Sequence, residues 1–279
     1  LAGLAAYRSG AGLVRILTPQ SNRLIVQSLL SEAIFTGYDT DSDFHALSEA
    51  NVSWADIIVL GPGLGTEALS VTLVRALLQA IAAQCDVAPS KWLRKFPLLL
   101  IDADGLNILS ACPELMQLVD HIAARIPVVV TPHPMEMARL SAASLQEILQ
   151  CPAHAAEALA EAHGTVTVMK GSETIVLDAD GHAFQNPEAS PALSKGGSGD
   201  VLSGAIAGVY AVLRADRIDA LNEATAEEQR MLWRRIAFDA TVTGVLLHAE
   251  AGRQAAKTHG THGVLARETA DMLGIVMQR

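Results

Sequence analysis

The stretch richest in chemistry runs Lys195, Gly196, Gly197, Ser198, Gly199, Asp200. Glycines let backbone N–H groups close on an anion. Val201, Leu202, Ala205, Ile206, Val209 and Leu213 follow at helical spacing, and a helix start adds unpaired donors and a partial positive charge. Asp200 stands at that start. As a helix cap it would be ordinary. Beside a phosphate it would repel, and one purpose justifies it there: accepting the proton of a hydroxyl that attacks the phosphate.

Four further clusters follow short apolar runs. Gly61, Pro62, Gly63, Leu64 and Gly65 come directly after Ile57 to Leu60; a glycine-rich loop at the carboxyl end of a parallel strand is either a tight turn or a ligand loop. Asp102, Asp104 and Asn107 follow Leu98 to Ile101, where carboxylates order metal-bound water, position a hydroxyl or cap a helix. His133, set between Pro132 and Pro134, and Glu136 follow Val128 to Val130. Their spacing is not a zinc pattern. Glu136 reads as a helix-start charge, and His133 is favoured as a substrate contact because loops at strand ends carry function. Lys170, Gly171, Ser172, Glu173 and Thr174 sit between two strand-like runs, where a Lys-Gly pair suits phosphate or a nucleotide. The remaining histidines, His248 among them, share no ligand spacing, and no residue is assigned to a metal.

The elements that must position these clusters alternate. Strand-like runs at 13–17, 57–60, 98–101, 128–130, 166–169 and 175–177 are separated by helical patterns at 22–33, 66–83, 113–124, 133–140 and 145–162. Several runs are apolar without alternation, as strands buried on both faces are. This order predicts an α/β fold of three layers around a mostly parallel sheet, in one domain over residues 1–279, with a helical final third. Residues 37–50 read as a solvated loop; their Asp39, Asp41, Asp43 spacing lacks the glycine and final glutamate of a calcium loop. Residues 214–235 read as a charged surface loop leading into a helix.

Of 279 residues, half are apolar and 18% charged, which excludes a disordered chain. A net charge of −10 argues against nucleic acid or anionic membrane as main partner. No apolar run approaches the roughly 18 residues of a membrane span. Three scattered cysteines, with no C-x-x-C pair, suggest a reducing, cytoplasmic setting. No signal peptide is visible. The chain opens on Leu1 in what reads as the middle of a helix, so we expect the fold's first strand and loop to lie outside this sequence.

Taken together and in this order, Arg8 to Val14, Gly61 to Gly65, Asp102 to Asn107, Thr131 to Glu136, Lys170-Gly171 and Gly196 to Asp200 resemble the NAD(P)H-hydrate dehydratase family of the ribokinase-like superfamily. The resemblance spans Leu1 to about Gly208, and 244–273 resembles the family's C-terminal helices. It implies repair of (S)-hydrated NADH or NADPH at the expense of ADP or ATP with Mg2+. The hydrate hydroxyl is phosphorylated and phosphate then leaves, giving AMP and phosphate from ADP. It further implies Asp200 as catalytic base; Gly63, Gly65, His133 and Asp200 on the hydrate; Lys170 to Thr174 and Gly196 to Gly199 on the nucleotide; and Mg2+ carried by the nucleotide. A homo-tetramer, and an epimerase domain upstream in longer chains, are implied by the same likeness. Departures are Met135 where Gly is usual, Ser198 where Thr is usual, and a long 214–235 segment. The alternatives are a ribokinase-like kinase for a vitamin-precursor alcohol, and a nucleotide-binding module without turnover.

Overall fold

The computed structural model describes residues 1–279 except Ser42, 88–90, Trp92, 187–189 and Arg279. Its strands are β1 (Arg15–Pro19), β2 (Ile34–Tyr38), β3 (Ile57–Leu60), β4 (Leu98–Ile101), β5 (Val128–Val130), β6 (Val166–Met169), β7 (Thr174–Asp178) and β8 (Ala183–Asn186). The helices are α1 (Ala2–Arg8), α2 (Arg23–Leu29), α3 (Phe44–Trp54), α4 (Ala68–Asp86), α5 (Asp104–Ala111), α6 (Pro113–Ala123), α7 (Pro134–Ser141), α8 (Leu145–Gln150), α9 (Pro152–His163), α10 (Ser198–Asp216), α11 (Ile218–Glu223), α12 (Ala226–His259) and α13 (Ala266–Val276).

The central sheet has six strands in simple chain order, β3 to β8. Strands β3 to β6 are parallel, and β7 and β8 return antiparallel. β1 and β2 form a separate parallel pair, so the sheet is mixed and the fold carries a second, smaller one. On one face of the central sheet α9 packs on β6 and β7, with α4, α6 and α9 in contact side by side; on the other α10 packs on β3 and α12 on β6 to β8, with α1 and α13 outside them. These are the expected three layers. Leu98 to Ile101 and Val128 to Val130 are fully buried between them.

Close packing of α1 on α10 depends on Gly204 and Gly208, one turn apart. A Cβ at Gly204 would strike the Ala2 carbonyl, and one at Gly208 the Ser9 side chain. The Ser9 hydroxyl, fully buried here, bonds the Ala5 carbonyl at 2.6 Å and the Gly204 carbonyl at 3.3 Å.

Four expectations are corrected. Within the expected loop 37–50, Gly37 and Tyr38 end β2 and residues 44–50 belong to α3, because Phe44, Ser48 and Val52 make a buried stripe at helical spacing. The 145–162 helix is two helices, since Pro152 has no N–H to give and opens α9 instead. Segment 214–235 is almost wholly helical. Trp233 Nε1 donates to the Tyr210 hydroxyl, which donates to the Phe96 carbonyl, both at 2.7 Å, and Arg214 reaches Asp56 at 3.3 Å. Finally, one helix, Ala68–Asp86, is long and apolar enough to cross a membrane by length and composition, with mean hydropathy 1.5. In the fold it is a packing helix: Leu73, Val74, Leu78 and Ile81 are buried, and it lies against α3 and α6.

Candidate functional site

Because β3 to β6 run parallel, the four clusters that follow them emerge at one edge of the sheet, and the N-terminus of α10 meets them there. Asp102 follows β4 directly and is 1% exposed. It accepts from Lys170 Nζ at 2.6 Å and from Ser203 Oγ, in the second turn of α10, at 2.6 Å. Lys170 Nζ also lies 3.7 Å from Glu136 Oε2. One buried carboxylate thus joins β4, the β6–β7 turn and α10. Burial alone would raise the Asp102 carboxyl. The Lys170 charge, with hydrogen bonds from Lys170 and Ser203, outweighs it and holds the carboxyl below its usual range.

Ala103, the next residue, has φ of 48°, in the left-handed region. That kink leaves Asp102 buried and Asp104 half-buried on the next turn. Asp104 Oδ2 accepts from the Gly65 N–H at 2.9 Å, tying the β3 loop to the β4 loop. Gly61 has φ of 123°, and any Cβ there would collide with the Asp102 carbonyl. Gly63 is exposed, with nothing within 4 Å of the place a Cβ would occupy, so it presents bare backbone to the mouth. Asn107 accepts from Arg139 at 2.7 Å.

His133 is the N-cap of α7. Its Nδ1 accepts from the N–H groups of Met135 and Glu136 at 3.1 and 3.2 Å, and Glu136 Oε2 accepts from the His133 N–H at 2.8 Å. This capping box uses an imidazole where Ser or Thr is usual. With Nδ1 accepting, the ring proton is assigned to Nε2, 3.3 Å from Glu136 Oε1. What His133 offers a ligand is its exposed ring. Glu136 is buried, more than a helix-start charge: it is a partner to both His133 and Lys170.

Asp200 is the third residue of α10, whose N-cap is Gly197 with φ of 86° and no side-chain cap bond. Asp200 therefore does not cap. Among the described residues no side chain is seen to hydrogen-bond its carboxylate. Burial, and then the negative charge of Asp102, raise its pKa. A Cβ built on Gly199 would stand 3.4 Å from Lys170 Nζ and 3.7 Å from Asp102 Oδ2, so Gly199 faces the buried pair. Gly196 is exposed with open space above it, whereas a Cβ on Gly197 would strike Leu1, whose amino group also bears on Asp200.

The structure therefore gathers Gly63, Gly65, Asp102, Asp104, His133, Glu136, Lys170, Gly196, Gly199 and Asp200 around one mouth. Gly171, Ser172 and Glu173 are exposed on the β6–β7 turn beside it, with Thr174 opening β7, and Glu173 accepts from Gln185 on β8 at 2.5 Å. Ser198 departs: its hydroxyl is buried against His248 Nε2 at 3.1 Å. Ser203 and His248 are the residues sequence reasoning missed. Each contributes through a contact far along the chain, with no local spacing to mark it.

Residues 1–274 match the sequence profile of a family described as NAD(P)H-hydrate dehydratase. The chain belongs to that family. An ADP-dependent (S)-NAD(P)H-hydrate dehydratase from Xanthomonas campestris is 32% identical over 274 residues, which are 96% of this chain and 79% of that protein. A bifunctional NAD(P)H-hydrate repair enzyme from Moorella thermoacetica is 29% identical over 285 residues, 100% of this chain and 46% of its own length. The chain thus spans about half the length of its bifunctional relatives. A solved structure of an ADP/ATP-dependent NAD(P)H-hydrate dehydratase from Bacillus subtilis, co-crystallised with ATP/Mg2+, superposes with a TM-score of 0.66 at 25% identity, covering 100% of this chain and 83% of that one. The ribokinase-like architecture extends to a Pyrococcus horikoshii hydroxyethylthiazole kinase, TM-score 0.58 at 13% identity over 99% of this chain and 95% of that one, a likeness of fold alone.

Proposed function

We propose that this chain restores NADH or NADPH from the (S)-hydrate, using ADP or ATP as phosphoryl donor. The observation that carries the reading is Asp200: a carboxylate of raised pKa at an anion-accepting helix start, engaged in no cap, facing a mouth lined by strand-end loops. Asp200 takes the hydroxyl proton of the hydrate, and the freed oxygen attacks the terminal phosphoryl group. From ADP, AMP leaves; phosphate then departs from the ring carbon while the neighbouring carbon gives up a proton to water, and the C=C bond of the dihydropyridine is restored. Backbone N–H groups of the 196–199 turn and the positive end of α10 face the developing phosphoryl charge. Gly63, Gly65 and the His133 ring would hold the hydrate, and the 170–174 turn the nucleoside.

Among the described residues no cluster of three or more metal-ligating side chains exists. Asp102, Asp104 and Glu136 already have partners, which fits Mg2+ arriving on the nucleotide phosphates rather than in a protein cage. Bound there, it would neutralise phosphate charge.

The test is incubation with hydrated NADH and, separately, hydrated NADPH, each with ADP or ATP. Return of reduced-ring absorbance with stoichiometric phosphate supports the reading. An accumulating phosphorylated product would instead select a small-molecule kinase, and nucleotide binding with no release a non-catalytic module. The proposal includes a homo-tetramer in a cytoplasmic setting, the latter in keeping with three free cysteines; a monomer in sedimentation would refute the assembly.

Gly199→Ala probes the nucleotide position directly. The new Cβ meets Lys170 Nζ and Asp102 Oδ2 at ordinary contact distances, so the fold should hold while a methyl stands between that pair and an approaching anion. ADP affinity in calorimetry is expected to fall by at least about tenfold, a loss of about 1.4 kcal/mol, with melting little changed. Gly197→Val is a poorer probe, since φ of 86° and the Leu1 contact make it strain the backbone.

A further inference from the structure

We propose that His248 is a positioning residue for the phosphate turn: through the Ser198 hydroxyl it fixes the shape in which residues 196–199 accept an anion. The inference rests on the reading above that this turn takes nucleotide phosphate.

The turn has little else to hold it. Gly196, Gly197 and Gly199 leave its backbone with the widest conformational choice available to a chain. Inside the turn the Ser198 N–H bonds the Lys195 carbonyl and the Val201 N–H the Gly197 carbonyl, both at 3.1 Å. Two side chains then anchor it from either end. Lys195 Nζ donates to the His262 carbonyl at 2.7 Å. Ser198 Oγ meets His248 Nε2 at 3.1 Å, with both residues 8% exposed. Both anchors lead to α12 and the loop that follows it, so the C-terminal third sets the turn against the strand ends.

Only the second anchor is buried, and that makes it the stiffer one. An exposed lysine contact competes with water, whereas a buried hydroxyl facing an apolar side chain would lose its only close partner on that side. Burial also pushes the His248 imidazole down to about 4, ahead of an opposing backbone contact with Ser198. The ring is thus neutral near pH 7, with one nitrogen to donate and one to accept, and adds no charge beside the phosphates. A lysine or arginine could not serve in so buried a place.

Four proteins test this: His248→Leu, His248→Gln, Ser198→Ala and the Leu/Ala double variant. Each is titrated with ADP and Mg2+ by calorimetry and assayed for hydrate repair with each substrate varied. A buried polar group left unpaired costs about 1–3 kcal/mol, or about 5- to 150-fold in affinity. His248→Leu is therefore expected to weaken ADP and raise its KM by a factor in that range, with the KM for the hydrate unchanged. His248→Gln, which can still bond Ser198, should return ADP affinity to within about threefold of wild type. The double variant should bind ADP no more weakly than His248→Leu, because the two residues act through one contact.

ADP affinity within twofold of wild type in folded His248→Leu overturns the proposal. So does a folded Gln variant no better than Leu, or an equal rise in both KM values, which marks a general loss of structure. If His248→Leu does not fold, Ser198→Ala decides alone: unchanged ADP affinity there overturns the proposal and weakened affinity supports it. Calorimetry needs no turnover. Wild type that binds ADP yet repairs no hydrate refutes the activity and leaves the His248 result to be read; wild type that binds no ADP overturns both.

Discussion

Asp200→Asn should slow hydrate repair by about 10² to 10⁴-fold, the usual worth of a positioned base, while the folded protein becomes no less stable. Asn keeps the size of Asp but accepts no proton at neutral pH. The stability half follows from the raised pKa of Asp200. A carboxyl whose folded pKa lies above its unfolded value, about 4, binds its proton more tightly in the fold. Its ionisation therefore costs stability as pH rises through the folded value. Removing the charge removes that cost, so the variant should melt at the same or a higher temperature at neutral pH, with no gain below about pH 4. In wild type the acid limb of the pH–rate profile should have its midpoint above that ordinary carboxylate value. Nucleotide affinity should hold or rise, because a negative charge near the phosphates is gone. A rate within about threefold of wild type, well short of that range, would remove Asp200 from the mechanism.

Lys170→Met should be the most destabilising change at the site, by about 3–5 kcal/mol, because it strands the 1%-exposed Asp102 carboxylate without its cation. The sign changes with pH. In wild type the depressed pKa of Asp102 means its charge contributes stability above the unfolded value, lost as pH falls through the folded one. Without Lys170, burial remains and pushes the same carboxyl upward. The stability gap between variant and wild type should then be widest at neutral pH and close as Asp102 takes up a proton. Adding Asp102→Asn to Lys170→Met should recover much of the loss, since a neutral amide can still accept from Ser203. Urea denaturation of the single and double variants at neutral and acidic pH reads all of this. A gap independent of pH would mean that the pair is not the source.

The strands that carry the site were legible as short apolar stretches: β4 and β5 are buried throughout and read as unbroken runs from Leu98 and Val128, while the partly buried edge strand β3 and the Thr167-interrupted β6 still begin at Ile57 and Val166. β2 and β8 were not. Each has a face outside the central core, so Thr36 and Gly37 in one and Gln185 and Asn186 in the other break the pattern. α3 hid behind spaced aspartates that precede it. At the site, glycines and acids after strands were readable because loop chemistry is local. The partners that give those residues their state were not: Ser203 stands 101 residues from Asp102, and His248 stands 50 from Ser198. Such contacts leave no periodicity. His133, expected at the substrate, caps α7 through Nδ1, and only its Nε2 side is left for the contact proposed above.

The division of the site between β4–β6 and α10–α12 also orders events during synthesis. A chain made from its amino end at about 5–20 residues per second exposes Asp102 and Lys170 seconds before Ser203, and Ser198 before His248. In that interval the sheet face that α10 and α12 will cover is bare, and Asp102 and Lys170 meet in water, where an ion pair is worth little. The nascent chain has neither a fixed phosphate turn nor a buried carboxylate to set it against. On the reading proposed above, nucleotide turnover therefore waits for α12, and until then the apolar sheet face that α10 and α12 cover stays open to water.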